Sequence, residues 1–142
     1  MKNQQENMVE VIDWAINDAP LVQDCSGRAG LAAAIGNFDG VHRGHQKVIA
    51  QAIEAAQLDN LTSAVITFDP HPREFFRRDD APFHLADRQE KDRLLSDLIG
   101  QSTPAKVIHV RFDDALRKTD ARHFISDVLV SLGVRHLFAG ID

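Results

Sequence analysis

The chain has 142 residues, 44% hydrophobic and 26% charged, with a formal net charge of −5 at pH 7. These proportions are ordinary for a soluble globular domain and exclude the compositions of disordered and membrane-spanning chains. The negative charge also argues against nucleic-acid binding by bulk electrostatics, because such domains usually carry a basic excess. We therefore expect one domain with neither a nucleic-acid nor a membrane partner.

Cysteine usage and the amino-terminal residues indicate the compartment. Cys25 is the single cysteine, and residues 1–10, MKNQQENMVE, lack the apolar core of a secretory signal. We therefore expect a reducing, cytoplasmic setting without an internal disulfide. The sequence does not indicate an oligomeric state.

The first apolar pattern, VEVIDW, covers residues 9–14 and is compatible with two structures. Val9 and Val11 alternate as in an edge strand, whereas Ile12 and Ile16 keep helical spacing. The sequence leaves this segment open between an extra edge strand and a helical turn.

A predicted buried strand, a glycine-rich loop and a helix come next. Residues 31–35, LAAAI, form a short apolar run that ends at Gly36, which is typical of a strand buried on both faces. Apolar side chains then recur at helical spacing and predict a helix from Gly44 to about Ala56.

A second unit of strand and helix follows. The segment SAVITF is rich in β-branched residues and predicts a buried strand ending near Phe68, because Pro70 has no amide hydrogen to continue it. Asp87 and Glu90 resemble a capping box for a helix that ends near Gly100.

The last third of the chain repeats this order. Residues 106–110, KVIHV, predict a third strand, and residues 136–140, HLFAG, form a fourth apolar run. Between them, Thr119 is the expected cap of a helix that stops at Gly133. The expected buried face of that helix contains Phe124, Val128, Leu129 and Leu132. Strands alternating with helices predict a parallel sheet and a three-layer α/β fold.

The motif GNFDGVHRGH falls at the carboxyl end of the first buried strand, where open α/β sheets bind ligands. Gly36, Gly40 and Gly44 would allow close approach of an anion to the unpaired amides of the following helix. His42 and His45, three residues apart, can lie on one side of that helix and stabilise charge on a phosphate. The competing interpretation is that the glycines only form a turn and the histidines are solvated.

Other phosphate and metal motifs fit this segment less well. Its spacing matches neither the Walker loop, which ends in GK[ST], nor the dinucleotide-binding GxGxxG pattern. A zinc site is also disfavoured, because no third ligand stands nearby in sequence and the HExxH pattern is missing.

The segment FDPHPREFF, residues 68–76, predicts a stiff apolar wall. Each proline restricts the residue before it to extended geometry, and Phe75 and Phe76 add flat apolar surface. Such a wall suits a flat aromatic ligand. The competing interpretation is that the prolines only end a strand and Phe68 belongs to the core.

Together these motifs resemble the amino-terminal adenylyltransferase module of prokaryotic FAD synthetases, the bifunctional riboflavin kinase/FMN adenylyltransferases. GNFDGVHRGH resembles the long form of the HxGH nucleotidyltransferase signature, and TFDPHPREFF, LADRQEKDRLL and GVRHLFAGID follow in the order of that module. The likeness covers about residues 31–142 and implies a Rossmann-like sandwich of the nucleotidyltransferase type.

The resemblance also implies a reaction and a set of site residues. AMP would pass from ATP to FMN, giving FAD and pyrophosphate, with Mg²⁺ accompanying ATP on ligands that the sequence does not identify. His42 and His45 would be the catalytic residues, in contact with the ATP phosphates. The implied ATP-binding residues are Gly36, Phe38, Asp39, His42, Gly44 and His45, and the implied FMN-binding residues are Phe68, Pro70, Pro72 and Phe76.

The remaining polar positions are expected to be structural. Arg77 and Arg78 read as a solvated loop, while Glu90 and Lys91 match the EK position of the family but also fit a helix cap and an exposed helix face. His84, His109, His123 and His136 have no identifiable partners, so a packing or surface role is expected.

The family pattern continues beyond GID with a Phe-rich piece, a basic stretch, an SSTxxR motif and a riboflavin kinase barrel. None of these follows in residues 1–142. We therefore expect a partial, carboxyl-terminally incomplete adenylyltransferase domain, with the riboflavin kinase domain absent. Two alternatives stay open: a non-catalytic nucleotide- or flavin-binding domain, and another HxGH nucleotidyltransferase with a different acceptor.

Overall fold

A computed structural model of the chain describes residues 9–21, 30–38, 43–69, 85–100 and 104–140. Its strands are β1 (Val9–Trp14), β2 (Leu31–Ile35), β3 (Thr62–Asp69), β4 (Ala105–Arg111) and β5 (Val134–Ala139). Its helices are α1 (Arg43–Asp59), α2 (Leu85–Ile99), α3 (Asp114–Arg117) and α4, which is continuous through Ala121–His123, Phe124–Leu129 and Val130–Leu132. All strand pairs are parallel, in the order β1-β4-β3-β2-β5, which confirms the predicted α/β class.

The segment that the sequence leaves open, residues 9–14, is the edge strand β1. It pairs with β4 in a register that sets Glu10 opposite Lys106. The Lys106 Nζ donates a hydrogen bond to Oε1 of Glu10 at 2.7 Å, and Trp14 is buried at the end of the strand. The helical alternative is wrong, because pairing with β4 satisfies the backbone groups of this segment.

Helices cover both faces of the sheet and produce the predicted three layers. On the face covered by α1 and α2, Ile49, Leu95 and Val107 share one apolar cluster. On the face covered by α4, Ile108 and Leu132 belong to a second cluster. Burial on two faces explains why β2 is continuously apolar in sequence and why β3 has an apolar run at its centre.

Most predicted boundaries agree with the structure to within a few residues. The first predicted strand matches β2 at both ends, and α1 runs from Arg43 to Asp59 rather than from Gly44 to Ala56. No helix in the described part of the chain is long and apolar enough to cross a membrane.

The two predicted helix caps are wrong. The helix α2 begins at Leu85, so Asp87 lies within its first turn. Glu90 pairs instead with Arg93, at 2.7 Å between Oε2 and Nη2, on an exposed part of the helix. The Thr119 hydroxyl does not cap α4, since it donates a hydrogen bond to a carbonyl of the preceding helix.

Asp120, one residue after Thr119, caps α4. Its carboxylate accepts a hydrogen bond from the backbone N–H of His123 at 2.9 Å, as N-cap carboxylates do. This bond and a second one from the imidazole hold the pKa of Asp120 below its ordinary value. The same carboxylate raises the pKa of His123, which lies at the surface as expected but has a partner that the sequence does not reveal.

The middle of α4, Phe124–Leu129, is a π-helical stretch within the helix. The predicted buried face is confirmed for Val128, Leu129 and Leu132, while Phe124 is half-buried against the same cluster. Gly133 ends the helix in the left-handed conformation, with φ of 82°, as predicted.

Candidate active site

The chain order reverses at the carboxyl ends of β2 and β5. From β2 the chain passes through β3 to β4 on one side, and β5 then pairs with the other side of β2. The crevice at such a switch point is the usual ligand site of open parallel sheets. Residues 36–38 follow β2 at this edge of the sheet, and α1 begins shortly after them.

Gly36 is the first residue beyond β2. Its amide donates a hydrogen bond to the carbonyl of Ile66 at 3.1 Å. A methyl group added at this glycine would lie 3.5 Å from ring atoms of Phe38, which is an ordinary contact. Packing among the described residues therefore does not require a glycine here. Gly44 lies exposed in the first turn of α1.

Phe38 and His45 pack against each other between the end of β2 and the first turn of α1. Their ring centroids are 5.0 Å apart with the planes at 68°, an edge-to-face arrangement. Phe38 is 1% exposed and His45 is 7% exposed. The interpretation of His45 as a solvated surface histidine is therefore wrong, and its imidazole lies where an aromatic contact limits its rotation.

The peptide that joins Asn37 to Phe38 is held by two other elements. The Thr67 hydroxyl of β3 donates a hydrogen bond to the carbonyl oxygen of Asn37 at 3.2 Å. The Lys91 ammonium of α2 donates to the same oxygen. The prediction that Lys91 lies on an exposed face is wrong, because the side chain turns inward to reach this loop.

The side chain of Asn37 presents an unusual polar group. Its Oδ1 is buried and has no hydrogen-bond partner within the described parts of the chain. An unsatisfied buried acceptor is costly, by about 1–3 kcal/mol. A ligand carrying an N–H or O–H donor would remove that cost.

A second group of polar side chains lies at the carboxyl ends of β1, β3 and β4. Arg88 of α2 forms ion pairs with Asp13 and Asp69, and its Nε lies 3.7 Å from Oδ2 of Asp92. Burial lowers the pKa of the Arg88 guanidinium, but the hydrogen bond with Asp13 and the charges of all three carboxylates outweigh this and raise it. Arg88 thus links two strands to α2 as a cation.

His109 of β4 is buried beside this group. Its Nε2 lies 2.6 Å from Oδ1 of Asp92, so the expectation that His109 has no partner is wrong. The same holds for exposed His136, whose Nε2 lies 2.6 Å from Oδ2 of Asp59. A cavity of about 420 Å³ opens next to His109 and is lined by Asp13, Trp14, Ala15, Asp18, Asp69, Arg88, His109 and Arg111.

Phe68, the residue predicted for the flavin side, is half-buried near the end of β3. Its ring meets that of Phe112 edge-to-face, with centroids 6.2 Å apart. Phe68 packs against the apolar cluster on the α4 face, whereas Phe38 belongs to the cluster on the α1 face. The two rings therefore flank opposite faces of the sheet near its carboxyl edge.

The structure describes five of the predicted site residues and brings three of them together. Gly36 and His45 both lie close to the Phe38 ring, Gly44 is exposed beside His45, and Phe68 lies on the other face of the sheet. The predicted site residues outside the described residues are Asp39, His42, Pro70, Pro72 and Phe76, and Arg77, Arg78 and His84 lie outside them too. Within the described ranges, no three His, Cys, Asp or Glu side chains are grouped so that they could hold a metal ion.

Comparison with known proteins gives a family and several relatives. A family model described as FAD synthetase matches residues 26–142. The bifunctional riboflavin kinase/FMN adenylyltransferases of Pseudomonas fluorescens and Escherichia coli (strain K12) are each 40% identical over 114 residues. The Bacillus subtilis (strain 168) enzyme of the same name is 38% identical over 115 residues. These alignments cover 80% to 81% of this chain and 35% of each relative, so the chain spans about a third of their length.

A solved structure shows the same architecture. A crystal structure described as a macrolide-efflux protein from Streptococcus pneumoniae superposes on 92% of this chain with a TM-score of 0.68. The sequences are 21% identical, and the match covers 42% of that protein. At this identity the likeness concerns the fold alone.

Proposed function

Because the chain belongs to the FAD synthetase family, we propose that it transfers AMP from ATP to FMN, forming FAD and pyrophosphate. The observation that carries this proposal is the packing of Phe38, which follows β2, on the buried ring of His45 in the first turn of α1. The relatives named as FMN adenylyltransferases support the same activity. The proposed adenylyltransferase domain takes in residues 1–142, of which the family model matches residues 26–142.

The ATP phosphates would lie between Gly36 and the first turn of α1. The first amides of a helix have no partners within it, and the helix dipole adds about half a positive charge there. Gly36 carries no side chain, which would allow a phosphate to approach the backbone closely. The resemblance adds Asp39, outside the described residues, to this side.

His45 would act by stabilising charge. In the proposed reaction an oxygen of the FMN phosphate attacks the α-phosphorus of ATP, and the bond from that phosphorus to the β-phosphate oxygen breaks as pyrophosphate leaves. A ring N–H of His45, with that of His42 by resemblance, would donate to the α-phosphate oxygens as charge develops. Phosphoryl transfer of this kind needs no covalent enzyme intermediate.

Mg²⁺ enters the proposal only as the ion that accompanies the ATP phosphates. The described residues provide no grouping of three His, Cys, Asp or Glu side chains, and Mg²⁺ commonly binds through substrate phosphates and one or two carboxylates. We therefore assign no protein ligand to it and give it no step.

The flavin would lie toward the end of β3. Phe68 and Phe112 supply half-buried aromatic surface there, and the resemblance adds Pro70, Pro72 and Phe76 from outside the described residues. The proposed partners are thus two small molecules, ATP and FMN, with no nucleic acid, in a cytoplasmic setting.

Incubating the chain with ATP, Mg²⁺ and FMN, and separating the flavins by chromatography, tests the proposal. FAD and pyrophosphate should form in equal amounts. His45→Gln should lower kcat/KM by about 10²-fold, the usual effect of losing one preorganised donor. His136→Gln should leave it unchanged, because that histidine is exposed and paired with Asp59 at the far end of α1.

Other outcomes would favour the alternatives. Binding of FMN and ATP without formation of FAD would favour a non-catalytic binding domain. Transfer of AMP to phosphopantetheine or a phospho-alcohol, but not to FMN, would favour a nucleotidyltransferase with a different acceptor.

A further inference from the structure

We propose that Lys91 is a positioning residue for His45: it fixes the carbonyl of Asn37, and through it the Phe38 ring that packs on the imidazole. The expected effect on the KM for ATP rests on the proposed function, whereas the expected effect on the position of the His45 ring does not. Lys91 belongs to α2, whereas His45 belongs to α1 and Phe38 to the loop after β2.

The first step is the anchoring of one oxygen. Lys91 and Thr67 both donate hydrogen bonds to the carbonyl oxygen of Asn37. A carbonyl oxygen has two lone pairs, so these two donors use its full capacity. The bond from the ammonium is charge-assisted and is the stronger type, which makes Lys91 the principal restraint on this peptide plane.

The second step is the conformation that this restraint maintains. Phe38 has a φ of 56°, in the left-handed region that bulky residues rarely adopt. Such a conformation persists only where surrounding contacts determine it. Relaxing Phe38 to negative φ by rotating the preceding peptide would turn the Asn37 oxygen away from Lys91 and Thr67. The two donors therefore oppose relaxation.

The third step is the effect on His45. The Phe38 ring lies 5.0 Å from the imidazole, so its position limits the orientations open to the imidazole. Arg88, one turn before Lys91 on α2, is tied to Asp69 of β3, which gives Lys91 a fixed base. A site histidine held in this way would meet a phosphate without reorganising.

Three variants test the proposal. Lys91→Met keeps the aliphatic stem and removes the donor, whereas Lys91→Arg keeps a cationic donor. Lys118→Met is the matched control, because Lys118 is exposed at the end of α3. The first measurement is the NMR chemical shift of the His45 ring protons, assigned with His45→Gln, which requires no substrate. The second is the KM for ATP and for FMN in the FAD-forming assay.

We expect Lys91→Met to move the His45 ring resonances toward solvent-exposed values and to raise the KM for ATP about tenfold, with less than a twofold change in the KM for FMN. Lys91→Arg should keep the His45 resonances and the KM for ATP close to their original values, and Lys118→Met should match the unmodified chain in both. His45 resonances and a KM for ATP that stay at their original values in Lys91→Met would overturn the proposal. Equal rises in the KM for ATP and the KM for FMN that Lys91→Arg does not reverse would also overturn the proposal.

Two further results keep the test decisive. If Lys91→Met does not fold, Lys91→Gln replaces the ammonium with a shorter, uncharged side chain, and unmoved His45 resonances in that variant contradict the proposal. If the unmodified chain neither binds ATP nor forms FAD, the proposed function fails, while the NMR comparison still decides whether Lys91 positions His45.

Discussion

At the scale of single residues, replacing Arg88 tests the group of charged side chains at the carboxyl ends of β1, β3 and β4. Its side chain is 21% exposed and contacts Asp13, Asp69 and Asp92. We predict that Arg88→Met lowers the free energy of unfolding by about 1–3 kcal/mol, because it leaves partly buried carboxylates without their cation. Urea unfolding measures the change as a lower midpoint at constant slope.

Arg93→Met is the control for that prediction. Arg93 lies on the same helix and pairs with Glu90, but the side chains are 61% and 57% exposed. Solvent screens such a pair, so we expect a change below about 0.5 kcal/mol. Equal losses in the two variants would show that the partly buried position of Arg88 has no special role.

The residues of the site also show what the sequence could predict. Gly36, Phe38 and His45 belong to one local motif, and the structure brings them together. The contacts of Lys91 and His109 depend on partners 54 and 17 positions away in sequence. No periodic pattern encodes such pairs, because they arise only when α2 packs on the strand ends.

At the scale of elements, the junction of α4 and β5 depends on one backbone conformation. Gly133 has a φ of 82°, and a methyl group there would lie 4.0 Å from Gly30. Gly133→Ala should therefore cost about 1–2 kcal/mol from the left-handed backbone alone, and Gly133→Asn should cost less. Thermal unfolding of both variants measures this, and an alanine variant as stable as the glycine chain would refute it.

Elements were predicted correctly where their own residues form a clear apolar pattern. They were not predicted where contact with a neighbouring element determines the structure. The strand β2 can be recognised in the sequence as a continuous apolar run, because both of its faces are buried. The edge strand β1 is mostly half-exposed or exposed, so its pattern is mixed, and only its pairing with β4 identifies it. Thr119 and Asp120 are adjacent, and both are residue types that commonly cap helices. The sequence does not show which of them accepts a hydrogen bond from a backbone N–H in the first turn of α4.

At the scale of the whole molecule, two apolar clusters share one sheet. Ile49 lies in the cluster under α1 and α2, and Ile108 in the cluster under α4. We predict that Ile49→Val and Ile108→Val each cost about 0.5–1.5 kcal/mol. The double variant should show the sum to within about 0.5 kcal/mol, because the sheet separates the two sites.

Ile66→Val provides the comparison for that additivity. Ile66 is the register partner of Ile108 and lies in the same cluster. Chemical denaturation of the Ile66 and Ile108 double variant should depart from the sum of its single variants, because the two side chains share neighbours. Departure from additivity in the Ile49 and Ile108 double variant would contradict the separation of the two clusters, and additivity in the Ile66 and Ile108 double variant would contradict their shared packing.

The pairing of β1 with β4 has a consequence for the order in which the sheet assembles during synthesis. Glu10 and Lys106, which face each other across these strands, are 96 positions apart. During synthesis β1 leaves the ribosome before β2, β3 and β4, and its partner strand β4 is the last of these four to be made. The strand β1 therefore stays unpaired until β4 has emerged, and it joins the sheet after β2, α1 and β3 have had time to assemble.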